Sequence, residues 1–433
     1  MASRHHVLGP VALILFAACS GDDAANGGSS STSSGSSGAS SSGDPTSSGG
    51  TSSGSSGTDA GQTRVEWEDQ FGDSDVPGSA VSAAIDRDGS VIIGGSIRGD
   101  IPGETGSGDG FVRKYDAAGK LLWTKRLGRK SASNDPFLSM ARARVDADGN
   151  VLVLWNKEEI PGPGQPANNY ETTLSKWDAT GKQLWTKPLV GTFTGEVGRN
   201  YGEYIAVDKD KNVVIAGFID QSESGKPAKV FVRKYDAAGT VKWTVIDTND
   251  VDSGYVRAFA LDEGGNAIVA LGGSMNTLDR IRKIDANGGP LWTKDMKPSL
   301  PKGGDVHALA GGPNGRIAIT FAGAGDDGVR RVEEWDASGT FVWGANGDVG
   351  LVAFEGPENL VVLKQPIYAE SPKPVLHRYD AARNEIAKKP SKTDVRLLDL
   401  AVDGKGHVVI AGTTIEFTTY PAPNEVFVAG MNL

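Results

Sequence analysis

The chain has 433 residues, with 44 Lys and Arg against 54 Asp and Glu, a net charge of −10 and 59 glycines. That acidic balance leaves no electrostatic footprint for nucleic acid or for anionic lipid headgroups. One cysteine excludes an intrachain disulfide and a thiolate metal cluster, and the glycine content suits an all-β body with many tight turns.

The first segment reads as an export leader. Arg4, His5 and His6 make a short basic start, and Val7 to Phe16 is an apolar run too short to span a bilayer. Phe16, Ala17, Ala18 and Cys19 follow, and small residues before the chain's one cysteine resemble the lipobox of bacterial lipoproteins. Phe16 departs from the Leu usual there. The resemblance implies a signal peptide over residues 1–18, lipidation of Cys19 and a lipid-anchored place in the bacterial cell envelope. Ser20 after the cysteine, in place of Asp, implies the outer membrane. Residues 19–63 are then the lipidated cysteine plus a tract of Ser, Gly, Thr and Ala. Such a tract buries nothing and is expected to be a disordered tether, with an r.m.s. reach of about 35 Å.

Residues 64–433 carry a repeat. Each copy has an apolar run, a short polar turn and a second apolar run. The turns open at Asp86, Asp146, Asp208, Asp262, Gly312, Glu355 and Asp403, with spacings between 43 and 62 residues. A second hairpin follows, closed by aromatic-Asp or Ile-Asp pairs at Asp116, Asp178, Asp236, Asp285, Asp336 and Asp380. Seven residues beyond five of these stands Trp123, Trp185, Trp243, Trp292 or Trp343; the sixth copy has Ala387. Four short strands (a to d) at such a period, with apolar alternation of period two, indicate a propeller. The seventh copy ends after strand c, while Val65 to Trp67 before the first copy carries the same Trp. The expected fold is all-β: a seven-bladed β-propeller of four-stranded antiparallel blades, closed by an N-terminal strand that completes the last blade and removes the open edges. That strand is expected around Val65–Trp67, paired with Val426–Met431.

These repeats resemble the bacterial SBBP-type propellers and, more distantly, the quinoprotein propellers with their Asp, Gly and Trp docking motif. The resemblance implies the fold and an exported context. It implies little about activity, because propellers host unrelated functions.

Candidate chemistry is sparse. The Asp-rich turns lack the spaced ligands and later Glu of a calcium loop, so they read as hairpin turns. His307, His377 and His407, the last placed in a turn, sit at non-equivalent repeat positions and suggest no zinc or acid–base set. No nucleophile elbow, metalloprotease helix or phosphate loop is present, so no catalytic residue, metal or cofactor is expected. The recurrent Trp residues read as packing between blades, and Trp155, at the end of a strand b, breaks their pattern. Two residues before the first turn, six copies have Ala; the second has Arg144, with Arg142 on the same face. A charge there must find a partner or face the channel.

The a–b and c–d turns are short and constant, and all large length changes fall in the b–c and d–a connections. In a meander these alternate, so variable loops share one face. The longest lie in the first three copies and carry Arg129, Tyr170, Glu171, Arg199, Tyr201, Asp250 and Tyr255. With Arg142 and Arg144, these are the candidate ligand-binding residues of a monomeric envelope binding or scaffold module, the ligand being a protein, peptide or glycan. A polysaccharide-active enzyme and a quinoprotein-like dehydrogenase are the alternatives.

Overall fold

The computed structural model describes residues 13–15, 65–72, 78–97, 101, 109–128, 140–159, 169–189, 193, 199–221, 226–247, 254–272, 279–296, 304–323, 330–347, 350–365, 373–414 and 425–433. The expected cleavage site, Cys19 and the tether lie outside them. Within the leader, Leu13–Leu15 forms a short strand parallel to Ala308–Ala310.

Seven four-stranded antiparallel blades make up the body, and among the described residues the element order is all strand but for one 3-10 turn. Blade 1 runs Gly78–Ile85, Val91–Ile97, Gly110–Tyr115 and Leu121–Leu127, from inner strand a to outer strand d. The other inner strands are Ala141–Val145, Arg199–Val207, Tyr255–Leu261, Gly304–Gly311, Val352–Glu355 and Val395–Val402. Each touches the next around the ring, the last touching the first. The blades therefore stack face to face about a central channel.

Closure is as the repeat demands. Blade 7 takes strands b and c from His407–Thr414 and Val426–Asn432, and strand d from the other end of the chain, Trp67–Phe71. The pairing runs antiparallel from Trp67 opposite Gly430 to Phe71 opposite Val426. The closing strand thus begins at Trp67, two residues later than expected, and His407 opens a strand instead of lying in a turn.

Period-two alternation is clearest in the outer strands, where four blades share one pattern of alternating exposed and half-buried residues. Strands such as Val91–Ile97 and Gly110–Tyr115 are buried along their whole length. They are covered on both faces by neighbouring blades, so they read as continuous apolar runs.

The constant turns form as the sequence requires. In the c–d turn of blade 1, the Asp116 carboxylate accepts the N–H of Ala118 and of Lys120, both at 2.9 Å. Gly119 closes it at φ +83°. Where glycine is missing, Lys211 and Arg383 take the same left-handed slot.

Trp docking joins blades 1 to 5 in succession. Trp123, Trp185, Trp243 and Trp292 donate their indole N–H to the carbonyls of Ala179, Ala237, Ala286 and Ala337, at 3.0, 3.3, 3.0 and 2.9 Å. Each acceptor lies in the next blade's c–d turn. Blade 7 has no c–d turn, because its strand c ends the chain and its strand d begins the domain. Ala387 stands where a docking Trp would face that break. Lys389 and Arg378 instead reach the carbonyls of Asn432 and Leu433.

A second repeated device was invisible in the sequence. The first Asp of the a–b turn pairs with the Lys two residues before the c–d Asp. Lys114–Asp86 stands at 3.5 Å, and Lys176–Asp146, Lys234–Asp208 and Lys283–Asp262 each at 2.8 Å. All are buried. Blade 5, with Gly312 in the turn, reverses the charges as Arg316–Glu334.

Candidate functional site

The a–b and c–d turns lie at one end of the strands, so the variable connections lie at the other. The inner strands begin there, and their first halves line that mouth of the channel.

Five inner strands carry a β-bulge at one shared position. The pairing of strand a with strand b skips a residue between Ala80 and Ser82, Gly202 and Tyr204, Val256 and Ala258, Val306 and Ala308, and Leu397 and Asp399. The extra residues are Val81, Glu203, Arg257, His307 and Leu398, each five before the first residue of its a–b turn. A bulge bends its strand and re-aims a side chain. Blades 3, 4 and 5 use it to set a carboxylate, a guanidinium and an imidazole side by side around the mouth.

Their partners cross between blades. Arg257 pairs with Asp305 at 2.6 Å, and Tyr204 donates its hydroxyl to the Arg257 carbonyl at 2.9 Å. Arg142 donates to the carbonyl of Val81, the blade 1 bulge residue, at 3.0 Å, and stands 5.2 Å from the Tyr204 ring centroid. Glu203 lies between Arg142 and Arg257. Burial pushes its carboxyl up to about 7 against both cations. Its Oε2 is sealed from solvent without a hydrogen-bond partner among the described residues. His307 is held neutral: burial first, then Arg330 and Arg396, lower it to about 4. Its Nε2 is likewise buried and unbonded. Arg396 belongs to blade 7, so its influence on His307 of blade 5 skips blade 6, whose inner strand is only four residues long. Arg396 is the one exposed side chain of its strand.

Of the residues singled out by sequence, Tyr201 and Tyr255 come together. Phe218 bridges them: its ring stacks on Tyr201 at 4.7 Å and meets Tyr255 edge-on at 5.4 Å. Arg199 opens the same inner strand as Tyr201, opposite Asp220. Arg144 is buried and pairs with Asp399 at 3.3 Å, so it serves the ring's structure rather than the mouth. Trp155 lies within strand b of blade 2, not at its end, and donates toward Ser175. Tyr170 and Glu171 lie on strand Asn169–Trp177, their side chains outside the described residues, as are Arg129 and Asp250 altogether. The sequence reading missed Glu203, Phe218, Arg257, Asp305 and Arg396, and set His307 aside. The signal that finds three of them is the fixed offset from the a–b turn.

Residues 108–280 match the PQQ_2 family, described as outer membrane protein assembly factor BamB. The match begins in blade 1 and ends in blade 4, over repeats whose docking Trp is intact, and it agrees with the quinoprotein-type resemblance of those repeats. A comparison with curated proteins returns no match. Among solved structures, the chain is similar to polysaccharide lyase Uly1, at 10% identity over 82% of this chain and 90% of that one, with a TM-score of 0.53. It is similar to virginiamycin B lyase from Staphylococcus aureus, at 11% identity over 84% and 99%, with a TM-score of 0.51. At such identities the likeness is one of fold.

Proposed function

We propose that this propeller is an envelope-anchored binding module whose ligand seats on the variable-loop mouth of the channel. The observation that carries the reading is the Tyr201, Phe218 and Tyr255 array beside the bulge residues, on the face where loop length varies. Aromatic rings offer contact area at little entropic cost, and the bulge supplies fixed polar groups. The point of chain entry agrees. Strand d of blade 7 starts at Trp67 on the turn side, so the domain's first described strand enters away from the loop face. The partial BamB match fits an outer-membrane setting and a protein-interacting role. No helix among the described residues is long and apolar enough to cross a membrane.

The indoles that carry the quinoprotein-type resemblance spend their N–H groups on the next blade's turn, so that motif serves packing between blades here.

Two experiments test the reading. Glycan and peptide arrays probed with the wild-type protein identify ligands. Tyr201→Ala and Tyr255→Ala should then weaken the strongest at least tenfold, while Asp116→Ala and Asp236→Ala lower only the melting temperature. A footprint on the turn face refutes it. Cys19→Ser should move the protein from the membrane fraction to the soluble one; unchanged fractionation removes the anchor.

A further inference from the structure

We infer that the outer edge of blade 5 pairs with the same edge of a second copy of this chain, giving a reversible two-fold dimer in place of the monomer expected from sequence. The surface is an outer strand on the rim of the ring, so the inference goes beyond the loop-face reading and does not rest on it.

Each blade ends in an outer strand with one open edge, so the seven edges can be compared with one another. Strand d of blade 5, Phe341–Asn346, is last in its sheet and pairs, among the described residues, only with Arg330–Trp335. Open edges invite pairing with other chains, and charged side chains or proline are the common defence. The other six outer strands carry it: Lys125, Lys187, Lys242, Lys294 and Lys388 in blades 1, 2, 3, 4 and 6, and Glu68 in the closing strand. The blade 5 strand has no such residue, and no charge falls anywhere between positions 337 and 347. Lys294 of blade 4 reaches this blade, but its ammonium is taken by the Gly339 carbonyl at 3.0 Å and lies 4.0 Å from the Trp335 ring centroid.

The edge is apolar, bare and held in place. Phe341 and Val342 are 55% and 57% exposed. Leu121 and Leu122 of blade 1 are exposed too, but Lys125 and Arg126 follow on their strand. After the docking Trp, blades 1 to 4 have Thr124, Thr186, Thr244 and Thr293, where blade 5 has Gly344. A Cβ at Gly344 would stand 3.1 Å from the Phe341 ring, so glycine lets that ring lie along the strand. Gly347 donates its N–H to the Arg330 carbonyl, and antiparallel alternation then turns the main-chain groups of Gly344 and Asn346 outward. Glycine inside a strand often marks the close approach of another backbone. Trp343 packs on Tyr379 of blade 6, ring centroids 5.6 Å apart, and steadies the strand. Charge selects the occupant. Paired antiparallel with its own copy, the outer strand of blade 1, 2, 3 or 7 would set like charges against each other, which destabilises a sheet. Those of blades 4 and 6 carry charges and a terminal proline, Pro290 or Pro390. The blade 5 strand meets its copy without repulsion, matched in length and in apolar surface, and a self-complementary patch closes at two chains. A single strand pair falls short of the roughly 1,200–2,000 Å² buried in a stable complex, so the dimer is expected to be weak and concentration-dependent.

The test is sedimentation equilibrium on the full chain carrying Cys19→Ser, which removes the proposed lipidation site. Over about 1 to about 300 µM the mass should pass from one chain to two and stop there. Val342→Lys gives blade 5 the pattern of Val241 and Lys242 in blade 3, and should weaken association at least tenfold. Leu184→Lys, at the matching position of blade 2, should leave association unchanged. Both replace exposed side chains and should keep the wild-type melting temperature. Should Val342→Lys fail to fold, Phe341→Gln, which copies Gln183 of blade 2, takes its place with the same expectation. Hydrogen exchange over residues 341–347 should slow at least tenfold as the dimer forms and stay fast in Val342→Lys, because pairing engages the outward amides of Gly344 and Asn346. A monomer at every concentration, growth beyond two chains, equal weakening by Leu184→Lys, a dimer that Val342→Lys leaves intact, or exchange indifferent to concentration overturns the inference.

Discussion

Arg144 of blade 2 and Asp399 of blade 7 meet at 3.3 Å across the inner strand of blade 1. Between them lies Ala83, whose N–H donates to Asp399 at 2.7 Å and whose carbonyl accepts from Arg144 at 3.3 Å. Three blades are thus fastened at one main-chain residue, beside the blade that the two chain ends complete. Asp399→Ala strands a buried guanidinium and the Ala83 N–H together. The expected loss is about 3–5 kcal/mol in urea unfolding, since breaking a buried pair leaves an uncompensated charge. Adding Arg144→Met should recover part of it; a double variant less stable than the single one contradicts the clasp.

Glu203 and Asp399 each contribute stability that is lost as pH rises from mild acid to neutrality, while His307, lowered to about 4, contributes in the opposite direction. Burial lifts both Glu203 and Asp399 to about 7 in the folded ring, well above the ordinary carboxyl range they regain on unfolding. Between those limits the folded state keeps protons that the unfolded chain has released, so the contribution is full below about pH 4 and is lost as pH climbs through about 7. Glu203→Gln removes one of the two groups. Its stability relative to wild type should rise by about 1–3 kcal/mol between pH 4 and pH 8. Parallel pH profiles of the two proteins would show that Glu203 titrates normally.

Blade docking should be more sensitive to glycine substitution than turn formation is. A methyl on Gly119 would lie 2.3 Å from the Trp67 ring, and its φ is +83°. Gly406 has a similar φ of +88°, but a methyl there meets nothing closer than 3.4 Å. Gly406→Ala should cost about 1 kcal/mol, for the backbone alone, and Gly119→Ala about 2–4 kcal/mol, for backbone and clash together. Equal losses in urea unfolding would mean that the Trp67 contact contributes nothing.

Removing residues 65–71 should open the ring. The deletion bares the edge of Val426–Asn432 and takes away Phe71 and Trp67, both packed into the core cluster around blades 1, 6 and 7. The truncated domain should melt at least about 5 °C lower and self-associate on size exclusion, since an unpaired edge templates pairing. An unchanged melting temperature would show that the seam bears no load.

The fold was legible because it is written seven times. Turn chemistry at Asp86 to Gly89, the Asp116 to Trp123 interval and the incomplete seventh copy each state a local rule, and the rules agree. Even the exception at Ala387 follows from the topology. The site was less legible. Glu203, Arg257 and His307 are unlike in chemistry, so comparing histidine with histidine could not group them. Their equivalence is an offset from the turn, and its meaning depends on a bulge that appears only when strand a is paired with strand b. The Lys–Asp pairs hid for a related reason: each Asp already had a sufficient role in its turn. Tyr201 and Tyr255 were found through loop-length variation, while Phe218, which joins them, sits in a strand and gave no such sign.

Ala387 also prescribes how the ring can be recut. Joining Leu433 to Arg64 through two residues, the second of them glycine, restores from Asn432 to Trp67 the seven-residue interval of an intact c–d turn. The chain can then be reopened at another such turn, between Asp236 and Gly239, whose incoming indole is Trp185. A circular permutant of that design needs a tryptophan at position 387 and tolerates an alanine at position 185. The blade that holds both termini would be chosen by a pair of indole positions rather than by the order in which the blades are synthesised.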